Sequence, residues 1–220
     1  MEQIRWLTGV SNEGVEAIAF ERSIGLMIQP DNGTRKRLGR YPFWAADNGV
    51  FTTKKRGFSP RLFRRMIARP ELQEHAARCL FVVAPDVLYD AHGTLERFPE
   101  WATEIRALGF RVALVAQNGL ETMLDEVPWD LVDVLFIGGD DEWKLGPHAA
   151  RCVAEARARG KRTHMGRVNS LERLELASAM MCDTADGTFL RFGPVKNLPR
   201  VEKWHDELRC GGVQIGLPHT

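Results

Sequence analysis

Short apolar runs alternate with longer stretches of helical spacing along this chain. Runs at about 4–8, 25–29, 43–46, 80–84, 112–116, 132–137, 162–165 and 182–186 read as strands. Leu80–Ala84 and Val112–Ala116 are almost wholly apolar, as strands covered on both faces are. Phe43–Ala46 is entered through Tyr41-Pro42 and left through Asp47-Asn48-Gly49, the punctuation of a strand rather than a helix. Between the runs, Pro60–Ala68 carries apolar residues at 62, 63, 66 and 67, which is helical spacing. Thr94–Leu108 stops at Gly109, Pro147–Arg159 closes at Gly160, and Ser170–Met181 opens on a capping serine, so all three read as helices. A short helix is expected around Glu121–Glu126 and a last one over Pro199–Arg209.

Strands that alternate with helices predict a parallel sheet. Eight of them predict a compact (β/α)8 TIM-type barrel, one α/β domain over residues 1–220, near the lower size limit of that fold. An open doubly wound sheet is the competing architecture, but no G-x-G-x-x-G follows an early strand. No internal repeat, low-complexity tract or linker divides the chain.

Composition narrows the picture only a little. The chain has 220 residues, 44% hydrophobic and 27% charged, enough for one full core. No apolar run approaches the roughly 18 residues of a membrane span, and the N-terminus lacks a signal pattern, so a cytoplasmic protein is expected. Cysteines 79, 152, 182 and 210 are scattered and form no C-x-x-C pair, which predicts buried free thiols and no metal site.

Charge is more informative. The net charge is only +1, yet Asp31 to Pro70 holds eleven Lys or Arg against two Asp, a local +9 that leaves −8 elsewhere. Such asymmetry predicts a face for a polyanion, with Lys54, Lys55, Arg56, Arg61, Arg64 and Arg65 as candidate nucleic-acid contacts; a solvated loop-and-helix face is the alternative.

Candidate chemistry lies at the strand ends, because in a parallel barrel the C-terminal ends build the active-site mouth. Met180–Gly187 reads M-M-C-D-T-A-D-G and sets Asp183 and Asp186 three residues apart. The other strand ends are Asp47, Asp86, Gln117, Gly138-Gly139 and Met165-Gly166. Carboxylates accept N–H donors, a glutamine amide both donates and accepts, and glycines admit close backbone approach. A flexible methionine can lie against a ring face. Together they describe a slot for a planar, donor-rich heterocycle. Singly, Asp86 and Gln117 serve equally well as a cap or a turn residue. His164 reads as structural, Trp143 as a core or stacking residue, and Lys144 as a loop or phosphate residue.

In order and type these motifs resemble the tRNA-guanine transglycosylase superfamily from about Tyr41 to Gly187. Its Asp-Ser-Gly-Gly-Phe stretch is similar to Asp47-Asn48-Gly49-Val50-Phe51, and its base-reading aspartate to Asp86. Its Val-Gln-Gly turn resembles Ala116–Gly119, and its Gly-Gly-Leu strand end resembles Ile137–Asp140. Its Tyr-Leu-Met-Gly-Val-Gly element is similar to Thr163–Val168, and its nucleophile-bearing strand to Cys182–Gly187. The zinc subdomain of the tRNA enzymes has no counterpart. In that respect the chain is similar to a compact branch found in phages and bacterial DNA-modification islands.

The resemblance implies a base-exchange transglycosylase that replaces guanine in nucleic acid, DNA favoured over tRNA, with a 7-deazaguanine such as 7-cyano-7-deazaguanine. It implies Asp186 as nucleophile and Asp47 as general acid and base. Asp86, Gln117, Gly138 and Gly139 would read the base, Met165 and Gly166 would pack on its face, and Asp183 would support the nucleophile. No cofactor is expected. The alternatives are a tRNA transglycosylase, an N-glycosidase using the same aspartate, and a non-catalytic partner of another subunit.

Overall fold

The eight strand-like runs pair side by side, all parallel, and close into a ring. In the computed structural model, which describes residues 4–9, 12–30, 33–51 and 58–210, the strands are β1 (Arg5–Thr8), β2 (Ile24–Ile28), β3 (Trp44–Ala46), β4 (Cys79–Val83), β5 (Val112–Ala116), β6 (Val134–Ile137), β7 (Arg162–Met165) and β8 (Thr184–Gly187). Each pairs with the next in sequence, and β8 returns to β1 with Leu7 opposite Asp186. This is the (β/α)8 barrel that the alternation predicts, and no break divides it.

Helices wrap the ring: α1 (Glu13–Ile18), α2 (Pro60–Ile67), α3 (Pro70–Glu74), α4 (Ala91–Ala107), α5 (Asp141–Lys144), α6 (Pro147–Ala158), α7 (Leu171–Ala179) and α8 (Pro194–Cys210). The long α4 starts three residues before the expected position because Asp90 accepts a hydrogen bond from the Gly93 amide and caps it there. The helix expected at 121–126 is only a 3-10 turn, Leu120–Thr122. Six residues cannot offset the cost of nucleating an α-helix without strong packing. Conversely, α1 forms although it is six residues long, because Asn12 caps it and Val15 packs into the core.

Two apolar layers result from the two-residue period of a strand. Leu7, Met27, Phe43, Phe81, Val115 and Val134 belong to the packing inside the ring. Trp6, Leu26, Trp44, Leu114, Ile137 and Met165 pack outward against the helices. Gly25 has a steric reason: a Cβ there would lie 2.2 Å from the Phe43 ring. Cys79, Cys152 and Cys182 are free and buried. No helix among the described residues is long and apolar enough to cross a membrane.

Candidate active site

At the C-terminal end of the barrel the apolar interior gives way to a cavity of about 510 Å³. Its lower wall is apolar, with Met27, Val83, Val115 and Phe136, while Asp47, Asp86, Gln117 and Asp186 supply its polar side. Gly138, Gly139 and Gly166 complete the wall, and Phe51, Arg167, Asn169 and Thr188 line it as well.

Asp47 follows β3 directly, its amide continuing the ladder to the Ile28 carbonyl at 2.8 Å. Gln29, at the end of β2, donates its side-chain N–H to Asp47 Oδ2 at 2.7 Å. Burial, then the charge of Asp186, then that of Asp86 push the Asp47 carboxyl up to about 7. Its environment therefore favours holding a proton near neutrality.

Asp86 is placed quite differently. One carboxylate oxygen accepts from Asn48 Nδ2 at 2.8 Å and the other from the Gln117 amide. Burial raises its proton affinity, and the two amide donors partly offset this. Asn48 is itself fully used: its Nδ2 also donates to the Ala84 carbonyl at 2.9 Å, and its Oδ1 accepts from the Val50 amide at 2.8 Å. Gln117 Oε1 accepts from the Tyr89 and Gly139 amides, both at 3.0 Å. The opposite amide orientation would set Oε1 against the Asp86 carboxylate, so the network fixes which atom is which. Asp86 and Gln117 thus join the ends of β3, β4, β5 and β6 into one hydrogen-bonded belt around the cavity.

The glycines serve approach. A Cβ on Gly138 would lie 2.6 Å from Val115 Cγ1, and one on Gly139, where φ is +68°, 2.5 Å from the Trp143 ring. Gly166 is equally confined, its Cβ position 2.8 Å from Phe136 and 3.4 Å from Asp186 Oδ1.

Asp186 projects from β8 with its side chain 15% exposed. Its Oδ1 lies 3.0 Å from His164 Nε2, and His164 Nδ1 lies 2.8 Å from Thr184 Oγ1. The imidazole is stacked on Phe136, centroids 4.5 Å apart, and meets Phe81 edge-on. Sequence reasoning assigned this histidine to structure alone. The available signal was parity: His164 and Gly166 share the inward face of β7 as Thr184 and Asp186 share that of β8.

The same parity corrects two expectations. Met165 points away from the cavity into the outer core and is fully buried there, so it cannot lie on a ligand bound within the ring. Asp183 sits at the opposite end of β8. Its carboxylate accepts from the Thr163 amide at 2.7 Å and pairs with Arg157 at 3.5 Å, tying strand starts together far from Asp186.

Lys144 is not a surface residue: it is buried, and its Nζ donates to the Gly166 carbonyl at 3.0 Å. Trp143 is buried as well and donates its indole N–H to Glu121 at 2.8 Å.

Of the candidate nucleic-acid contacts, Lys54, Lys55 and Arg56 lie outside the described residues. Arg61 and Arg65 are exposed on α2 and do not line the cavity. Arg64, also exposed on α2, is engaged within the protein. It binds Glu104 through two hydrogen bonds of 2.6 and 2.7 Å and covers the Trp101 ring, clamping α2 to α4. At the cavity wall the cation is instead Arg167, 4.6 Å above the Phe51 ring and donating to the Gly139 carbonyl. Among the described residues no group of three or more His, Cys, Asp or Glu is placed to hold a metal ion.

No protein-family model matches the chain, and no curated protein matches it. Among solved structures, it is similar to an enolase protein from the environmental genome shotgun sequencing of the Sargasso Sea. That structure shows a TM-score of 0.54 and 12% identity, over 86% of this chain and 55% of the other. The chain therefore spans little more than half the length of that protein, and what the two share is the barrel.

Proposed function

We propose that the protein is an enzyme that exchanges guanine in nucleic acid, DNA favoured, for a 7-deazaguanine such as 7-cyano-7-deazaguanine. One observation carries the reading. Asp47 and Asp186 line a single cavity, and the surroundings of Asp47 favour a proton near pH 7 while one oxygen of Asp186 is free of protein partners among the hydrogen bonds described. A carboxyl that favours its proton, across a cavity from a second carboxyl with an oxygen left to attack, is what a double displacement at a sugar carbon requires.

In the first half of the reaction an oxygen of Asp186 bonds to C1′ of the nucleotide. The bond from C1′ to guanine breaks, its electron pair goes to the base, and the proton of Asp47 neutralises the leaving base. In the second half the incoming deazaguanine gives its ring N–H proton to Asp47 and bonds to C1′. The bond from C1′ to Asp186 breaks, returning its electron pair to the carboxylate. Apolar walls on Val83, Val115 and Phe136 suit the faces of a flat ring, and about 510 Å³ suits a base with its sugar. A base in a duplex reaches such a cavity only when flipped out, at a cost of a few kcal/mol.

The test is uptake of isotopically labelled 7-deazaguanine into DNA or tRNA by the purified protein, read by mass spectrometry of the released nucleosides. Label in DNA supports the reading, and label in tRNA alone moves the substrate. Free guanine released without an incoming base points to an N-glycosidase. No change in either nucleic acid removes the proposal.

A further inference from the structure

We propose that His164 is the positioning residue of Asp186: it donates its Nε2 proton to Oδ1 and leaves Oδ2 as the attacking oxygen. This rests on the transglycosylase reading given above. His164 has no exposed surface and does not line the cavity, so it cannot touch a substrate. Its whole effect must pass through its neighbours.

The ring is braced at both nitrogens by one strand. His164 on β7 lies opposite Thr184 on β8, and Asp186 follows two residues later on the same inward face. Nδ1 therefore reaches Thr184 Oγ1 at 2.8 Å while Nε2 reaches Asp186 Oδ1 at 3.0 Å. A carboxylate can only accept, whereas a threonine hydroxyl can donate. Both contacts are satisfied when the proton sits on Nε2. The other neutral tautomer would turn an imidazole lone pair towards a carboxylate lone pair. The Phe136 stack and the Phe81 edge hold the ring plane from the remaining sides. Any buried histidine needs partners at both nitrogens; what sets this one apart is that one of them is Asp186, a carboxylate that lines the cavity.

This brace fixes the second torsion of Asp186. Oδ1 is turned towards β7, where Gly166 leaves it room: a Cβ on Gly166 would be 3.4 Å from that atom. Oδ2 is left for C1′. When the second base expels the carboxylate, negative charge returns to Asp186 and the Nε2–H stabilises it, so the donor helps the intermediate to resolve.

The experiment uses the full chain with ¹⁵N-labelled histidine. The His164 signals are those missing from the spectrum of H164Q, and the expected form is the Nε2-protonated tautomer, perturbed in D186A. A ring protonated on Nδ1, or one unaffected by D186A, overturns the proposal. In parallel, H164F should lower kcat for exchange about 10- to 100-fold, the usual worth of a hydrogen bond to a charged group. KM for the incoming base should change less than about threefold, because uniform binding is untouched. H164Q, whose amide N–H can reach the same oxygen, should recover most of the lost rate; a purely structural role would not produce that rescue. H164F with the kcat of the parent chain overturns the proposal. Should H164F not fold, T184V decides: with the Nδ1 contact gone the ring is braced from one side only, so kcat should fall while the proton stays on Nε2, and an unchanged kcat overturns the proposal. Absence of exchange by the parent chain refutes the transglycosylase reading instead, and the tautomer still decides whether the brace exists.

Discussion

Asp47 and Asp186 line one cavity from opposite flanks of the β1–β2 pair, and the charge of Asp186 is the second largest cause, after burial, that keeps a proton on Asp47 up to about pH 7. If Asp47 donates that proton to the departing base, kcat/KM for the nucleic acid should be level below pH 7. It should fall about tenfold per unit above it, as the acid form is titrated away. A pH–rate profile with saturating incoming base measures this. A flat profile between pH 6 and 9 would remove Asp47 from the acid role.

The same group makes stability depend on pH. Its folded value of about 7 lies above the ordinary 3.8, so between these pH values the folded chain binds the extra proton. The favourable contribution is complete below pH 3.8 and is lost as pH rises through 7. Above that, the ionised carboxylate costs on the order of 4 kcal/mol. The D47N variant carries no such charge. It should be more stable than the parent chain at pH 8, with a gap that narrows towards pH 5, as measured by urea denaturation. A gap independent of pH would contradict the buried, repelled carboxyl.

The roles of the two acids separate in a trapping experiment. D186A should give no covalent adduct with nucleic acid on a denaturing gel. D47A should still form one slowly, because nucleophilic attack remains possible without assistance to the leaving base. Losing general acid help costs typically about 10²- to 10⁴-fold. An adduct in D186A would show that another group attacks.

Gly166 tests how tightly the site is built. A methyl there would meet Phe136 at 2.8 Å, and that ring cannot retreat because it is stacked on His164. G166A should lose about 1–3 kcal/mol of stability, the usual cost of overpacking. It should also slow exchange, since the strain falls beside Asp186. Unchanged melting and activity would show that the wall can give.

How far the sequence disclosed all this depends on which residues are local. The strands and the barrel were legible because apolar runs and turn residues are short-range signals, and the acids at 47, 86 and 186 were legible as strand ends. The facing of side chains at those ends was legible only in part. Placing Met165 towards the ligand ignored that Gly166 and Met165 must face opposite ways, and the same alternation would have brought His164 forward. Asp183 misled because two acids near each other in sequence look like one site, whereas three residues of extended strand separate them by about 10 Å. The pairing of Arg64 was hidden for the opposite reason: its partner, Glu104, lies forty residues away and enters only through the packing of α2 on α4. No composition count reveals such a pairing.

Lys144 extends the point to electrostatics. It lies in a charged string, D-D-E-W-K, yet it folds inward, where Nζ holds the Gly166 carbonyl at 3.0 Å with Asp141 3.7 Å away. Burial first, and then the Arg167 charge, lower its proton affinity from 10.5 to about 8. Between those values the unfolded chain binds more protons than the folded one, so this lysine makes stability rise with pH across that window. The full cost of its buried charge is felt below pH 8. The K144M variant removes the charge and the hydrogen bond together. The stability of the parent chain minus that of K144M should therefore increase by on the order of 3 kcal/mol from below pH 8 to above pH 10. Urea denaturation across that range measures it. A difference that stays constant would mean that the ammonium is not desolvated on folding.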